Sequence, residues 1–226
     1  MPSEGDGEER QSGTELGRLP GGHHGLSRQE VLESQRERLL AATVELIAEN
    51  GYAATQITRI AKRAAVANRV FYANFEGKQQ AFIAAFDALA DHLTELLLAA
   101  ARDEPDWAAQ IIAALRAALE FFDSEPAIAR FCLLAPYTAP KAIAAHCRDR
   151  AAAALPVLAR GRGLPPRPIR LPASTEDSIL GGILSQMSRA AATGEPPFPT
   201  LLPDLVEFAL QPYLGRAEAR RLATAA

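Results

Sequence analysis

The sequence predicts an all-α fold in which a small amino-terminal head is joined by a long helix to a larger helical body. Three observations support this prediction. Alanine and leucine dominate the composition, clusters of β-branched residues are scarce, and apolar residues recur at helical spacing along most of the chain. The chain has 226 residues and a hydrophobic content of 48%, which can supply full cores for about one to two domains.

We expect three segments, namely a disordered tail at residues 1–26, a head at 27–78 and a body at 79–226. The tail is rich in glycine, serine and glutamate and has few large apolar residues, so burial cannot offset the entropy that it would lose on ordering. His23 and His24 are adjacent in this tail, but a metal site needs more ligands in a fixed geometry. We therefore expect no metal and no cofactor.

The first helix of the head is expected from Ser34, or slightly earlier, to Asn50. Ser34 and Glu37 have the spacing of a capping box, in which the two side chains bond free backbone amides at the helix start. Gly51 follows and suits the positive φ that ends many helices. The helix has a broad apolar stripe made of Leu39, Leu40, Thr43, Val44, Leu46 and Ile47. This stripe predicts a supporting helix that holds the next two in place.

Two short helical patterns follow, separated by a tight break at 65–67. Ile60 and Ala64 have helical spacing before the break, and Phe71 and Phe75 have it afterwards. Two short helices joined by a turn of this length are typical of the helix-turn-helix unit, whose second helix enters the major groove of DNA.

The charge of this segment also favours DNA. Between Tyr52 and Lys78 there are five basic residues and one acid, a local charge of +4 in a chain whose total is −3. The charged residues are Arg59, Lys62, Arg63, Arg69, Lys78 and the acid Glu76. A basic patch on a mildly acidic chain predicts a local DNA-binding surface.

Several landmarks hold their spacing together in the segment 39–78. They are Leu39-Leu40-Ala41-Ala42, Leu46-Ile47-Ala48-Glu49-Asn50-Gly51-Tyr52, Ile60-Ala61, Ala65-Val66, Phe71-Tyr72, Asn74-Phe75 and Lys78. In this pattern the chain resembles the TetR family of transcriptional regulators. The resemblance implies a homodimer that binds double-stranded DNA and a small-molecule effector, with repression as the usual outcome.

The resemblance also implies which residues contact DNA. Base contacts are expected in the first turn of the third helix, with Asn68 on adenine, Arg69 on guanine and Val70 on a thymine methyl group. Contacts to phosphates or flanking bases are expected from Thr55, Thr58, Arg59, Tyr72, Asn74 and Lys78. Thr55 is also expected to cap the second helix, where its hydroxyl and the free amides suit a phosphate.

Two residues depart from the family pattern. Ala65 stands where the turn usually has glycine, and if this position has a positive φ, alanine costs on the order of 1 kcal/mol. Ala67 stands where serine or another capping residue is usual. Asn68 is then a candidate cap for the third helix, a role that competes with reading a base.

The body is expected to begin with a long helix from Lys78 to about Arg102, a strut of about 25 residues and nearly 40 Å. Further helices are expected at about 107–124, from 126 to a break at 136, at 139–160 with a kink near Pro156, at 175–193 and at 202–214. Residues 161–172 are rich in glycine and proline and predict a solvated loop. The end of the chain is expected to be frayed.

The resemblance implies an effector pocket between the strut and the last two helices. The aromatic candidates for its lining are Phe86, Trp107, Phe121, Phe131 and Tyr137. Such a lining suits an apolar or aromatic molecule rather than a highly charged one. The alternative is that these side chains are ordinary core residues at helical spacing.

The last two helices resemble the pair through which TetR-family proteins dimerise. The expected interface residues are Ile179, Ile183, Met187, Leu205 and Phe208. Gly181, Gly182 and Ser185 are small and would let two helices approach closely. The alternative is that both apolar stripes pack within one subunit.

Other functions have less support. The sequence has no nucleophile elbow, zinc-protease motif or phosphate loop, so we expect no enzymatic activity. Because Ala65 and Ala67 depart from the family pattern, a helical interaction protein that keeps the fold without specific DNA binding remains an alternative. Cys132 and Cys147 are expected to be buried thiols, with a redox pair as the alternative.

The cellular location is expected to be the cytoplasm. The amino terminus is acidic and lacks the apolar run of a secretory signal. No apolar stretch reaches the ~20 residues that a membrane-spanning helix needs.

Overall fold

The fold is described by a computed structural model that covers residues 28–164 and 170–226. Every regular element in these two ranges is helical, which confirms the all-α fold class. The tail expected at 1–26, with His23 and His24, lies outside the described residues, and so do residues 165–169 of the expected loop.

The α-helices follow one another with short connections. They are α1 (Arg28–Ala54), α2 (Ile57–Arg63), α3 (Asn68–Asn74), α4 (Lys78–Ala101), α5 (Trp107–Ser124), α6 (Pro126–Leu133), α7 (Ala135–Thr138), α8 (Lys141–Ala151), α9 (Leu155–Ala159), α10 (Thr175–Thr193), α11 (Leu202–Leu214) and α12 (Arg216–Ala225). Short 3-10 segments lie at Ala152–Ala154, Arg160–Gly163 and Phe198–Leu201. The expected bounds of α4, α5, α10 and α11 are confirmed to within one residue.

The supporting helix α1 is longer than expected. It already begins at Arg28, so Ser34 lies inside the helix and the expected capping box with Glu37 is wrong. Gly51 has φ 78° and ψ 163°, and it interrupts the helical path before a last turn that ends at Ala54. This confirms the expected break, because glycine adopts a positive φ without the steric cost that other residues meet.

The head is closed by a small apolar core between α1, α2, α3 and the start of α4. Its buried members are Leu39, Ala42, Leu46, Ile60, Ala61, Ala64, Phe71, Phe75 and Ala81. Phe71 and Phe75 of α3 pack against each other with ring centroids 5.5 Å apart. A helix of seven residues is not stable alone, so these two anchors determine how α3 is oriented.

The strut α4 connects the head to the body. Its 24 residues span about 36 Å. Where it leaves the head, its apolar face meets α1 and the helices α6 to α8. The buried residues at this meeting point, called the junction cluster below, are Val44, Ile47, Phe82, Ala85, Phe86, Phe131, Ala135, Ile143 and Cys147. Phe82 of α4 and Phe131 of α6 have ring centroids 4.6 Å apart, so head and body share one packed core here.

The body core lies mainly between α5, α6, α10, α11 and α12. It includes Trp107, Leu119, Phe122, Ile179, Ile183, Met187, Leu205, Val206, Leu210 and Tyr213. The expectation of a frayed chain end is wrong, because α12 packs along α11 and buries Ala219 and Ala223. No helix within residues 28–164 and 170–226 is long and apolar enough to cross a membrane.

The chain after α8 is more ordered than a solvated loop. The expected kink near Pro156 takes the form of a 3-10 segment at Ala152–Ala154, followed by α9. Gly161 is buried, and a Cβ atom there would lie 2.6 Å from the Trp107 ring and 2.7 Å from the Tyr213 ring. The absence of a side chain at Gly161 therefore lets this segment close over the body core. This corrects the expectation of a solvated loop for residues 161–163.

Candidate nucleic-acid interface

The turn between α2 and α3 has the hydrogen bonds of a Schellman motif. The Val66 amide donates to the Ala61 carbonyl at 3.0 Å, and the Ala65 amide donates to the Lys62 carbonyl at 3.1 Å. Ala65 has φ 53°, the left-handed conformation that this motif requires and that glycine usually supplies. The turn therefore forms with alanine, at a steric cost on the order of 1 kcal/mol.

Arg38 of α1 also contacts this turn. Its Nη1 donates to the carbonyl of Ala64, the C-cap residue of α2, at 3.2 Å. A cation at the carboxyl end of a helix is also favoured by the helix dipole. The two residues are 26 positions apart, and no local spacing connects them, which is why sequence reasoning missed Arg38.

The first turn of α3 faces solvent. Its N-cap is Ala67, which has an extended backbone and makes no side-chain capping bond. Asn68 follows as the first helical residue, so the expectation that Asn68 caps α3 is wrong. Asn68 and Arg69 are exposed, and neither side chain is bonded to another described residue. Both are thus available to a base edge, and the expected conflict between capping and recognition does not arise.

The other expected contacts on α3 differ in exposure. Tyr72 is 60% exposed, and its ring meets Phe71 edge-on with centroids 5.5 Å apart. Val70 is half-buried against the head core. Asn74 donates from Nδ2 to the Val70 carbonyl at 2.8 Å, which leaves its second Nδ2 hydrogen and its Oδ1 without a described partner. Tyr72 is therefore the most accessible of the three.

Thr55 is turned into the head rather than towards solvent. It is 2% exposed, and its Oγ1 lies 3.1 Å from the Leu46 carbonyl and 2.8 Å from the Gly51 carbonyl. The N-cap of α2 is Gln56, which makes no side-chain capping bond. The expectation that Thr55 caps α2 is therefore wrong, and its hydroxyl instead fixes the chain after the Gly51 break.

Thr58 and Arg59 lie on the exposed face of α2. Arg59 has no carboxylate within ion-pair distance among the described residues. The orientation of α2 makes this face, rather than the buried Thr55, the part of the helix that a phosphate can reach.

Lys78 at the start of α4 holds the end of α1. Its Nζ donates to the carbonyls of Tyr52 at 2.6 Å and Thr55 at 2.8 Å, and it lies 4.2 Å from the centroid of the Tyr52 ring. Burial lowers the pKa of Lys78 below its ordinary value. Two of the three ammonium protons are engaged, so one remains for a phosphate.

Arg63 does not contribute a free charge to this surface. Its guanidinium donates to Glu45 at 2.7 Å and to both carboxylate oxygens of Glu49 at 3.0 Å. The hydrogen bond from Arg63 lowers the pKa of Glu49, and the same bond raises the pKa of Arg63. On α2 and α3, the exposed cations without an ion-pair partner in the described chain are Arg59, Lys62 and Arg69.

The five expected effector residues do not line one common cavity. Phe86 and Phe131 belong to the junction cluster, and Trp107 lies in the body core, where its Nε1 donates to the Val157 carbonyl at 2.8 Å. Phe121 is half-buried beside His92, with ring centroids 5.7 Å apart, and Tyr137 is 72% exposed.

Surface depressions elsewhere on the described body are small. One of about 180 Å³ lies between α5 and α12, and one of about 150 Å³ lies between α5 and the segment before α11. None of the five aromatic candidates lines either depression. Both are below the roughly 300–1,000 Å³ of small-molecule sites, so neither is large enough for a typical small molecule in this structure.

A polar network in the body was missed by sequence reasoning. Arg162 donates from Nε and one terminal nitrogen to the two oxygens of Glu176, each at 2.7 Å, and the Tyr213 hydroxyl donates to the same carboxylate at 2.8 Å. Glu176 is 6% exposed. The bonds from Arg162 hold the pKa of Glu176 at about 2. Burial and the carboxylate raise the pKa of Tyr213.

The two cysteines lie near the junction cluster, Cys147 as a buried member and Cys132 packed partly against it. Neither is in a disulfide. Burial raises the pKa of both thiols to about 12, which disfavours the reactive thiolate. This environment supports the expectation of buried thiols.

Four of the five expected dimer residues are core residues of a single subunit. Ile179, Ile183, Met187 and Leu205 are 2%, 8%, 3% and 0% exposed. Only Phe208 is exposed, at 41%, with its ring against Gly182, where a Cβ atom would lie 2.6 Å from the ring. The apolar stripe that sequence reasoning assigned to a partner therefore packs inside the subunit, and the exposed residues of α10 include the small Gly181 and Ser185.

Comparison with known proteins agrees with this architecture. Residues 39–85 match the family model of bacterial regulatory proteins of the tetR family. A segment of 49 residues is 43% identical to the fatty acid metabolism regulator protein of Bacillus subtilis (strain 168). This segment covers 22% of this chain and 25% of that relative, so the likeness spans about a quarter of its length.

Solved structures resemble about four-fifths of the chain. The fatty acid degradation regulator FadR from Bacillus halodurans has a TM-score of 0.70 at 16% identity, covering 81% of this chain and 96% of that one. FadR from Bacillus subtilis, solved in complex with stearoyl-CoA, has a TM-score of 0.70 at 18% identity, covering 79% and 98%.

A TetR family transcription regulator from Marinobacter aquaeolei VT8 has a TM-score of 0.62 at 21% identity, covering 81% of this chain and 97% of that one. At such identities these likenesses establish the shared fold, while the family model identifies the head. The head carries a formed helix-turn-helix with an exposed second helix. Residues 39–85 therefore carry the amino-terminal domain of the tetR family of bacterial regulatory proteins, and the described chain shares the fold of TetR-family transcription regulators.

Proposed function

We propose that the chain is a cytoplasmic, homodimeric repressor that binds a palindromic operator and leaves it when a small apolar effector binds the body. The observation that carries DNA recognition is the exposed first turn of α3, where Asn68 and Arg69 have no bonded partner in the described chain. They project from a head whose core and turn are fully formed.

Base recognition is assigned to these two side chains. The guanidinium of Arg69 matches the two acceptors of guanine in the major groove, and the amide of Asn68 matches the donor and acceptor of adenine. Each bidentate pair contributes about 1–3 kcal/mol of discrimination against a wrong base. Val70 lies half inside the head core, so its contact with a thymine methyl group is the weakest of the three proposed base contacts.

Phosphate contacts are assigned to the exposed side of the head. Arg59 and Lys62 lie on α2. Tyr72 and the second Nδ2 hydrogen of Asn74 lie on α3, and the third ammonium proton of Lys78 lies at the start of α4. Thr58 supplies a neutral donor beside Arg59. We assign Thr55 the indirect role of holding the chain before α2, because its hydroxyl is buried. Such contacts fix register on the duplex and carry no sequence information.

Dimerisation is assigned to the outer face of α10 and α11. Gly181 and Ser185 of α10 are exposed, Leu184 is half-buried, and Phe208 of α11 lies beside them against Gly182. Small residues let helices of two subunits approach closely, and Phe208 supplies an apolar anchor at their centre. A two-fold dimer presents the two α3 helices to successive turns of the major groove, about 34–36 Å apart, so the operator is a palindrome.

The part of the effector that binds the body is proposed to be the apolar acyl chain of a fatty acid or of its thioester. One structure of similar fold is a fatty acid degradation regulator, and another is a transcriptional regulator solved with stearoyl-CoA. The interior of this body is correspondingly apolar. The described depressions of the body are too small for an acyl chain. The acyl chain is therefore proposed to bind a more open form of the body, which is rare in the free protein, and binding shifts the population to that form.

The junction cluster is the proposed path from effector to head. Phe131 of α6 packs on Phe82 of the strut, and α6 and α7 also pack on α1, the helix that supports α2 and α3. A displacement of α6 by the effector therefore tilts α1 and α4 together. The two heads of a dimer then lose their spacing on DNA. The coupling is reciprocal, so operator DNA weakens effector binding by the same factor.

The test begins with selection of an operator from a random duplex library by the purified protein. Arg69→Ala is expected to weaken binding to that operator by about tenfold or more for each half-site. Arg148→Ala removes an exposed arginine of α8 instead and should leave affinity unchanged. Unchanged affinity in Arg69→Ala would favour the alternative of a helical interaction protein without specific DNA binding.

A further inference from the structure

We propose that Arg38 is a positioning residue for DNA recognition, which holds the turn between α2 and α3 in its strained form through the carbonyl of Ala64. The part of the proposal that concerns DNA rests on the proposed function. The part that concerns the turn rests on geometry alone, so the two parts can be tested separately.

The first argument concerns which donors bond to the carbonyl groups at the end of α2. The carbonyls of Ala61 and Lys62 accept the amides of Val66 and Ala65, and the carbonyl of Ile60 accepts the amide of Ala64. These bonds are the ones that the Schellman motif provides. The carbonyl of the C-cap residue itself lies outside the motif, and in the described structure it accepts from Arg38.

The second argument is the strain at the neighbouring residue. Within residues 28–164 and 170–226, Ala65 is the only residue other than glycine that has a positive φ. Alanine favours other conformations that unwind the turn, whereas glycine does not. The bond from Arg38 to Ala64 adds a tether from α1, the supporting helix, at the peptide group that directly precedes the strained residue.

The third argument is the geometry of recognition. α3 begins at Asn68, only a short connection after Ala65. A rotation of the Ala65 backbone therefore redirects the first turn of α3, including Arg69. The bidentate contacts proposed for that turn require a fixed direction, so an interaction that stabilises Ala65 at positive φ raises DNA affinity without touching DNA.

An opposing interpretation is that the exposed Arg38 contacts a phosphate directly. Salt dependence separates the two, because each phosphate contact that is lost reduces the slope of log K against log salt by about 0.9. A positioning residue lowers affinity at every salt concentration and leaves the slope unchanged.

The experiment uses Arg38→Ala, Ala65→Gly and the double variant, with DNA affinity measured at several salt concentrations. Arg38→Ala is expected to weaken binding about fivefold per head, equivalent to about 1 kcal/mol, with an unchanged slope. Ala65→Gly removes the strain and should restore most of the affinity in the Arg38→Ala background. A reduced slope, an unchanged affinity or a failure of Ala65→Gly to restore binding would each overturn the proposal.

The control is Arg36→Ala, which removes another exposed arginine of α1. Arg36 lies over the ring of Phe75 at 4.9 Å and makes no bond to the turn. Any loss of affinity in Arg36→Ala should not be restored by Ala65→Gly. If Ala65→Gly restored DNA affinity equally in the Arg36→Ala and Arg38→Ala backgrounds, its effect would be a general stabilisation. That result would contradict a specific role for Arg38.

A second readout needs no DNA. Hydrogen exchange of the Val66 amide, which donates to Ala61, reports whether the turn is closed. Exchange should be about fivefold faster in Arg38→Ala and slower again in the double variant. If the wild-type protein binds no DNA specifically, the proposed function fails while this exchange still decides the role of Arg38. Unchanged exchange in Arg38→Ala would refute that role.

Discussion

Glu176 is a buried carboxylate that the fold keeps ionised between Arg162 and Tyr213. Its pKa of about 2 lies below the ordinary value of 4.5, so the folded state binds its proton more weakly than the unfolded state. The stabilisation from ionised Glu176 is therefore complete above about pH 4.5 and is lost as the pH falls towards 2. Arg162 also donates to the carbonyls of Leu171 and Pro172, so the same network holds the chain that enters α10.

We predict that Glu176→Gln lowers the free energy of unfolding by about 2 kcal/mol at pH 7, because hydrogen bonds to a charged group are replaced by weaker ones. Denaturant unfolding at pH 7 and pH 3 measures the difference from wild type, which should shrink at the lower pH. Glu120→Gln, at an exposed carboxylate of α5, is the control and should have little effect at either pH. A difference that stays constant with pH would contradict an ionised Glu176.

The positions of individual side chains were only partly predictable. The positive φ at Ala65 followed from its place in the turn, because the local chain geometry alone requires it. Thr55 was expected to cap α2, and Lys78 to contact a phosphate. Both side chains also bond to carbonyls around the Gly51 break, and the bonds of Lys78 form only once α4 is folded against the end of α1. Local spacing contains no information on such tertiary bonds.

Helix α12 illustrates what local patterns miss at the level of one helix. Its sequence is highly charged, and the residues that it buries on α11 are alanines, which contribute little to an apolar stripe. Helices with large apolar residues, such as α4, α5 and α10, had predictable bounds because those residues recur at the helical period. The break at Gly51 was likewise predictable from a single glycine.

We predict that Ala219→Leu lowers the free energy of unfolding by about 1–3 kcal/mol, because Ala219 is fully buried against α11 and a larger side chain overpacks the contact. Ala217→Leu places the same side chain on the exposed face of α12 and should change stability by less than about 0.5 kcal/mol. Thermal or urea unfolding of both variants measures this. Equal effects at the two positions would contradict the packing of α12 on α11.

The assembly of two subunits depends on which face of α10 and α11 is left uncovered. Sequence periodicity identified an apolar stripe on each helix. It did not identify the surface that covers each stripe, because the same stripe suits a subunit core and a dimer interface. The structure buries Ile179 and Leu205 inside the subunit and leaves Phe208 exposed. The proposed interface therefore shifts to the face with small residues around Phe208.

We predict that Phe208→Arg converts the proposed dimer to a monomer, because it places a charge at the centre of the proposed interface. Leu98→Arg is the control, since Leu98 is 61% exposed on α4, which packs chiefly on α1, α5 and α8. Sedimentation equilibrium of both variants gives the molecular mass, which should halve only in Phe208→Arg. A dimer that persists in Phe208→Arg would place the interface elsewhere.

The measurement that tests the central claim most directly is fluorescence anisotropy of the protein on its selected operator and on scrambled DNA of the same length, at several salt concentrations. Arg59, Lys62 and Lys78 are the three cations assigned to phosphates in each head, which makes six per dimer, so log K is expected to fall against log salt with a slope of about −5. The account predicts tight binding to the operator, at least about a thousandfold tighter than to scrambled DNA. Equal affinity for both DNAs would contradict it.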